Sequence, residues 1–217
     1  MTHPAPQPFI ETFALGPFRT CCYLVHVPPD PECWFIDASF SPAPMIDRAR
    51  QLALQPSRII LTHAHGDHIA GLDELRAAFP GVRAAVHQNE AAFLTDPELN
   101  LSAGFGPPVV ARPADDLLRG GEILTLSGST WTVLNTPGHS PGGITLYHPE
   151  SKIAFAGDTL FAGSIGRFDY PTSSERDLIR SIRDVLYALP DDTRVFPGHG
   201  PPTTIGREKR SNPYVHL

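Results

Sequence analysis

The sequence predicts a mixed α/β fold in which two similar halves each contribute a β-sheet and the sheets pack together under outer helices. The order of elements is the first reason: β-β-β-α-β-α, then a second β-rich stretch followed by a helix and a strand. Composition is the second, because 24 prolines and 18 glycines in 217 residues favour short elements joined by turns over a long helical bundle. With no linker between the halves, residues 1–217 are expected to form one domain.

The first half starts with strands and continues with alternating strands and helices. Alternating or continuous apolar runs predict strands at residues 9–15, 21–27, 34–38, 58–61 and 83–87. Apolar residues at helical spacing predict helices at residues 44–54 and 67–79, and a short helix at 88–95. Residues 96–116 contain four prolines and little periodicity, so a long loop is expected there.

The second half repeats this organisation. Strands are expected at residues 122–126, 130–135, 143–147 and 152–156. A helix is expected at 174–189, where Ser174 followed by Asp177 resembles a capping box. A last strand at 193–196 ends at a Pro-Gly-His turn.

Charge and composition exclude several classes of partner. The formal net charge is −6 and the pI about 5.9, which gives no support to a nucleic-acid or anionic-membrane partner. No run approaches 18 apolar residues, and Met1 to Pro8 lacks the basic and apolar regions of a secretion signal, so a cytoplasmic protein is expected. The three cysteines, Cys21, Cys22 and Cys33, are expected to be buried and reduced.

Five of the ten histidines stand at the ends of predicted strands: His63, His65, His68, His139 and His199. In extended backbone the side chains of His63 and His65 point the same way, so both can bind one metal ion. Asp67 and His68 come at a helix N-terminus, where the helix dipole favours an ionised carboxylate and a neutral imidazole. A pair of surface histidines is the alternative for the H-x-H pattern alone; the complete H-x-H-x-D-H is more specific.

The motifs T-H-A-H-G-D-H, P-G-H-S-P-G, G-D-T-L-F, G-R-F-D and P-G-H-G extend this pattern along the chain. Together they resemble the metallo-β-lactamase superfamily and, within it, the glyoxalase II-type (hydroxyacylglutathione hydrolase-like) hydrolases. The resemblance spans about residues 8–214. It implies a four-layer αββα sandwich of two mixed sheets, with a metal site at one edge between them.

The resemblance also implies the ligands of two divalent ions. His63, His65 and His139 match the ligands of the first ion, Asp67, His68 and His199 match those of the second, and Asp158 matches the carboxylate that bridges both. Where β-lactamases of this superfamily usually carry a cysteine ligand, this chain has Asp158, which counts against β-lactam hydrolysis.

Asp37 matches a carboxylate that supports the site; a turn-forming aspartate is the alternative. Imidazole and carboxylate ligands suit Zn²⁺ first, with Fe and Mn as alternatives.

The activity implied is hydrolysis of thioesters such as S-lactoylglutathione or related small acyl thiols. A hydroxide bridging the ions would attack the carbonyl, with Asp67 orienting it. A thiol leaving group has a pKa of about 8.5 and needs little help from a general acid, of which the sequence shows none. Arg167 matches a basic residue that contacts the glutathione carboxylate; the alternative is an ion pair with Asp169.

Three further functions stay open. A persulfide dioxygenase of the same fold would use one Fe(II) held by His63, His139 and Asp158. A lactonase and a non-catalytic binding protein are the second and third. Residues 200–217 resemble the end of short bacterial relatives that lack the C-terminal glutathione-binding domain. The expected partner is a small-molecule substrate, and the protein is expected to be a monomer or homodimer.

Overall fold

Two six-stranded sheets face each other in the computed structural model, which describes residues 7–104 and 106–216. Most of the stretch Met1 to Pro8, where no secretion signal is expected, lies outside the described residues, as does one residue of the expected loop at 96–116. Within the described residues, no helix combines the length and the apolar character that crossing a bilayer would require.

The first sheet has the order β1-β2-β3-β4-β5-β6. β1 to β3 pair antiparallel and β3 to β6 pair parallel, so the sheet is mixed. Its strands are β1 (Phe9–Leu15), β2 (Thr20–His26), β3 (Glu32–Ile36), β4 (Gln55–Ile60), β5 (Arg83–His87) and β6 (Asp116–Leu118). Helices α1 (Ala43–Gln51), α2 (Gly66–Ile69) and α3 (Leu72–Ala78) belong to the connections between these strands.

The second sheet has the order β14-β13-β10-β9-β8-β7, in which only β10 and β13 pair parallel. Its strands are β7 (Ile123–Leu126), β8 (Ser129–Asn135), β9 (Ile144–His148), β10 (Ile153–Gly157), β13 (Arg194–Pro197) and β14 (Thr203–Thr204). A short hairpin, β11 (Leu160–Phe161) and β12 (Ser164–Ile165), follows β10. The helices here are α4 (Glu175–Arg180), which continues as a π-helical segment (Ser181–Leu186), and α5 (Ile205–Ser211).

Large aromatic side chains fill the space between the sheets. Trp34 of the first sheet and Trp131 of the second are fully buried, with ring centroids 6.2 Å apart, and Tyr23 lies 4.9 Å from Phe155. Two further apolar clusters lie on the outer faces, one beneath α1 and α3 and one beneath α4 and α5. This gives the expected order of layers, helix, sheet, sheet, helix.

Local differences from the predicted elements have physical reasons. The helix predicted at 67–79 is broken into α2 and α3, because the His68 carbonyl oxygen and the Gly71 N–H form hydrogen bonds with the backbone of Ala38 instead of continuing the helix. The segment predicted as a helix at 88–95 forms a 3-10 helix (Gln88–Leu94), and β6, which was not predicted, begins at Asp116, the last residue of the predicted loop. The three cysteines are buried and free, as expected.

Candidate metal centre

Strand ends and the turns after them bring the seven predicted ligand residues to one edge of the two sheets. His63 and His65 follow β4, Asp67 and His68 lie in α2, and His139 follows β8. Asp158 follows β10 and His199 follows β13. Their possible ligand atoms form three sets, each within 4.8 Å: His63, His65 and His139; His63, His68 and Asp158; and Asp67, His68 and His199.

The Asp158 carboxylate lies between the first and the third of these sets. Its Oδ2 is 3.5 Å from Nε2 of His139 and 3.5 Å from Nε2 of His199, and its Oδ1 is 3.5 Å from Nε2 of His68. In the first set, Nδ1 of His65 lies 2.9 Å from Nε2 of His139. A carboxylate in this place can reach ions held by either set.

Hydrogen bonds from Nδ1 fix the ring orientation of three of the histidines. His68 donates to Oδ2 of Asp37 (2.9 Å), His139 to the carbonyl oxygen of Arg167 (2.9 Å), and His199 to that of Phe18 (3.2 Å). In each neutral ring, the Nδ1 proton leaves the lone pair on Nε2, which faces the cluster. Such outer hydrogen bonds are usual for metal-binding histidines.

Asp37 also holds the backbone that precedes His63. Its carboxylate accepts hydrogen bonds from Thr62 through the backbone N–H (2.7 Å) and the hydroxyl (2.8 Å), in addition to the one from His68. Its backbone has φ of 60°, a left-handed conformation that aspartate adopts more readily than most residues. The buried carboxylate therefore supports the site from outside the cluster.

The donor set fits divalent metal ions. Nε2 of His63, Nε2 of His68 and Oδ1 of Asp158 are buried and have no hydrogen-bond partner within the described part of the chain. Leaving such atoms without a partner is costly, about 1–3 kcal/mol each. A Cβ at Gly198 would lie 2.0 Å from Oδ1 of Asp158, so any larger residue there would displace this oxygen. Convergent imidazoles and carboxylates are ligands typical of zinc and neighbouring metals.

Burial sets the protonation of the first group of ligands. Burial lowers the pKa of His63 far below its usual value, and nearby imidazoles lower it further. Burial, with His139 second, lowers the pKa of His65 to about 3. Both rings are therefore neutral at physiological pH, which is the form that binds metal.

In the second group of ligands, nearby opposite charges together influence the pKa values more than burial does. Burial alone would raise the pKa of Asp67, but the charge of His68 and hydrogen bonds from His199 and Thr20 outweigh it, and the pKa falls. Burial alone would lower the pKa of His68, but the carboxylates of Asp67, Asp37 and Asp158 outweigh it and raise the pKa. These carboxylates thus favour the protonated form of His68, and a metal ion at Nε2 would compete with that proton.

Glu90 is a residue of the site that sequence reasoning missed. Its fully buried carboxylate accepts hydrogen bonds from the backbone N–H of Ala64, between His63 and His65, and from that of Gly142 (2.8 Å). It therefore joins the two turns that carry the first set of ligands. A single glutamate in a short helix gives no sequence signal of this role.

The turn that carries His139 is also held by the two residues before α4 and by the π-helical segment after it. The carbonyl oxygens of Pro137, Gly138 and His139 each accept one hydrogen bond of 2.7 Å. The respective donors are the Ser181 hydroxyl, the Ser174 backbone N–H and the Ser173 hydroxyl. Gly138 has φ of 135°, and a Cβ there would lie 2.1 Å from the Leu178 backbone nitrogen, so this close approach requires glycine.

A pocket of about 330 Å³ opens beside the cluster. Arg167 and Tyr170 line it, together with Phe18, Phe40 and Leu101. The guanidinium of Arg167 makes two hydrogen bonds of 2.9 Å with the Asp169 carboxylate and lies 4.4 Å from the centre of the Tyr170 ring. Arg167 thus lies at the pocket, as a substrate contact would require, and also forms the ion pair with Asp169 that the sequence allowed.

Sequence comparison finds the same family. The model of the metallo-beta-lactamase superfamily matches residues 15–199. The chain is 41% identical over 199 residues to a probable metallo-hydrolase of Streptococcus pyogenes serotype M6, covering 89% of this chain and 84% of that protein. It is 36% identical to hydroxyacylglutathione hydrolase GloC of Haemophilus influenzae, covering 95% and 98% of the two chains.

Solved structures with the same architecture cover nearly the whole chain. The crystal structure of BLEG-1 B3 metallo-beta-lactamase matches with a TM-score of 0.90 and 37% identity, covering 95% of this chain and 99% of that one. TTHA1623 in a di-iron-bound form matches with a TM-score of 0.81 and 35% identity, covering 95% and 100%.

Proposed function

Because the chain belongs to the metallo-beta-lactamase superfamily, we propose that it is a metal-dependent hydrolase of thioesters such as S-lactoylglutathione or related small acyl thiols. The observation that carries this proposal is the Asp158 carboxylate, which lies within 3.5 Å of imidazole nitrogens from two ligand sets that converge beside one pocket. The similarity to a hydroxyacylglutathione hydrolase supports the thioester class.

We assign His63, His65 and His139 to a first divalent ion, Asp67, His68 and His199 to a second, and Asp158 to both. Zinc is the metal we propose, with iron and manganese as alternatives; the similarity to a protein solved in a di-iron-bound form supports keeping iron. The ions would supply Lewis-acid polarisation of the thioester carbonyl and activation of water at neutral pH.

Asp67 is the residue we propose to orient the attacking water. Its Oδ2 accepts a hydrogen bond from the Thr20 hydroxyl (2.7 Å) and lies 3.2 Å from Nε2 of His199, so the carboxylate has a fixed orientation. The lowered pKa keeps it ionised, and an ionised carboxylate accepts a hydrogen bond from water. The departing thiolate needs no proton donor, so the proposed reaction requires no dedicated acid.

Arg167 is proposed to contact the thiol part of the substrate from the His65–His139 side of the pocket. An Arg167→Ala variant should raise KM several-fold and leave kcat nearly unchanged, because a contact made equally in the ground and transition states affects binding alone. Arg112→Ala is a matched control, since Arg112 is also exposed and also paired with an aspartate, Asp73. An unchanged KM in Arg167→Ala would exclude this contact.

The proposed function is tested by thiol release from S-lactoylglutathione with the metal content of the same preparation quantified. Release that depends on two metal ions per chain is the expected result. Oxygen uptake with glutathione persulfide and one iron per chain would instead indicate a persulfide dioxygenase. A lactone and a β-lactam are assayed in parallel, and hydrolysis of either one without thiol release would overturn the thioester proposal.

A further inference from the structure

We infer that the preferred substrate carries an uncharged alkyl or aryl acyl group, longer than lactoyl, which binds against Phe18, Phe40 and Leu101. This inference rests on the proposed thioester hydrolysis and specifies its substrate class. It follows from the different chemistry of the two sides of the pocket.

One side of the pocket is polar and lies beside the first ligand set. The Tyr170 ring centre is 5.6 Å from that of His65 and 5.8 Å from that of His139. The carbonyl oxygen of Arg167 accepts the hydrogen bond from His139. If the thiol part of the substrate lies against Arg167, the acyl part points to the opposite side.

That opposite side is aromatic. The carbonyl oxygen of Phe18 accepts the hydrogen bond from His199, which places Phe18 beside the second ligand set. A Cβ at Gly16 would lie 3.0 Å from Cβ of Phe40, so the turn between β1 and β2 packs directly on Phe40. Phe18 is 46% exposed, and a large apolar side chain at a pocket loses contact with water when an apolar group binds it.

The polar side chains near Leu101 are already engaged with the protein. The Asn100 amide donates to the carbonyl oxygens of Phe93 (2.8 Å) and Val109 (2.9 Å), and its oxygen accepts from the Ser102 backbone N–H. The Ser102 hydroxyl oxygen accepts from the Val109 backbone N–H (2.8 Å). These hydrogen bonds hold the loop together.

The charged side chains that line the pocket also favour an uncharged acyl group. Arg167 is the only lysine or arginine among the described residues that line the pocket, and both oxygens of Asp169 already pair with it. A carboxylate or phosphate on the acyl group would lose water beside Phe18 and Phe40 without a counter-charge there. An alkyl group would instead gain about fourfold in binding per buried methylene.

The test is the dependence of kcat/KM on the acyl group with one minimal thiol, N-acetylcysteamine, so that glutathione recognition does not enter. From acetyl to butanoyl to hexanoyl, kcat/KM should rise by about fourfold per methylene until the pocket is filled. Succinyl, which has the length of butanoyl and a negative charge, should be at least tenfold slower than butanoyl. A flat series, or a succinyl thioester as fast as the butanoyl one, would overturn the inference.

Substitutions of pocket residues test which side chains cause the dependence of kcat/KM on acyl length. Phe40→Ala should reduce the gain in kcat/KM from acetyl to hexanoyl by several-fold. Leu101→Ala is a second variant in case Phe40→Ala does not fold. Phe9→Ala, which removes an exposed aromatic of β1 outside the pocket, should leave the series unchanged. An equal loss for every acyl group in both pocket variants would contradict the assignment.

If no thioester is hydrolysed, the proposed function fails, but the pocket is still tested by calorimetry. Ketones in which CH₂ replaces the thioester sulfur can be titrated into the zinc-loaded protein. Affinity that rises with acyl length supports the apolar pocket independently of hydrolysis. Affinity that does not depend on length overturns it.

Discussion

The Asp158 carboxylate lies where two sets of candidate metal ligands meet. It lies among the imidazoles of the cluster, with Nε2 of His68, His139 and His199 each at 3.5 Å. Burial would raise its pKa, but the charge of His68, with those of the other nearby imidazoles, outweighs burial and lowers the pKa, so the carboxylate stays ionised. A neutral side chain in this place would leave the surrounding imidazoles without a common partner.

Replacing Asp158 therefore tests the two-metal arrangement directly. If Asp158 bridges two ions as proposed, Asp158→Ala should lower bound metal from two ions per chain to one or none and reduce activity by more than about 100-fold, because it would remove a ligand rather than an outer contact. Metal content by elemental analysis and thiol release measure the two effects. Asp192→Ala, at an exposed aspartate paired with Lys152, is the control. Retention of two ions per chain in Asp158→Ala would contradict the bridging role.

Replacing Glu90 tests whether the two turns that carry the first ligand set require the hydrogen bonds from Ala64 and Gly142 to its carboxylate. Glu90→Gln keeps the size of the side chain but turns an amide NH₂ toward one of the two backbone N–H groups, at Ala64 or Gly142. The free energy of unfolding should fall by about 1–3 kcal/mol, and metal affinity by about 10–100-fold. Denaturant unfolding and competition with a chelator measure these. With exposed Glu74→Gln as control, a loss of stability without a loss of metal affinity would restrict Glu90 to a structural role.

The break between α2 and α3 is an element-level feature that positions His68. The backbone of Ala38 donates to the carbonyl oxygen of His68 (2.8 Å) and accepts from the N–H of Gly71 (2.7 Å). These hydrogen bonds hold the break between α2 and α3 next to Asp37, whose carboxylate accepts a hydrogen bond from His68. The sequence could not show this, because Ile69, Leu72 and Leu75 continue the apolar spacing of one helix through the break.

Gly71→Ala should therefore destabilise the protein, although alanine is the better helix former by about 1 kcal/mol. The added Cβ would lie 2.2 Å from the Ser39 carbonyl oxygen and 2.9 Å from the Pro42 ring. We expect a net loss of about 1–3 kcal/mol, measured by thermal or urea unfolding. At Gly104 a Cβ would meet no atom of the described residues within 4 Å, so Gly104→Ala should be tolerated. Equal stability of both variants would show that the break is not sterically required.

Across the whole molecule, the sequence predicted the two-sheet sandwich and the seven residues that meet at its edge. Both depend on local patterns, namely apolar periodicity and short motifs at strand ends. Glu90 and Ser173 were not predictable, because their roles depend on backbone groups that are distant in sequence, such as Gly142 and the His139 carbonyl. β6 was missed because a three-residue strand is too short for a period to be seen.

We propose that the two sheets unfold as one domain. Trp34 and Trp131 lie in different sheets and are in contact between them. Tryptophan fluorescence and far-ultraviolet circular dichroism should therefore report one coincident transition in urea. The single-tryptophan variants Trp34→Phe and Trp131→Phe would report each sheet separately. Different midpoints for the two probes within one variant would show that the halves unfold independently.

Under the proposed function, the hydrogen bond from His139 to the carbonyl oxygen of Arg167 would couple metal binding to substrate binding. The same loop holds the carbonyl of His139 through Ser173, so the loop contacts both the ring and the backbone of one ligand residue. A substrate that immobilises this loop raises metal affinity by some factor, and by linkage the metal raises substrate affinity by the same factor. The protein without substrate should then lose metal to a chelator faster than the protein at saturating substrate, so the substrate would determine how much of the protein stays loaded when metal is scarce.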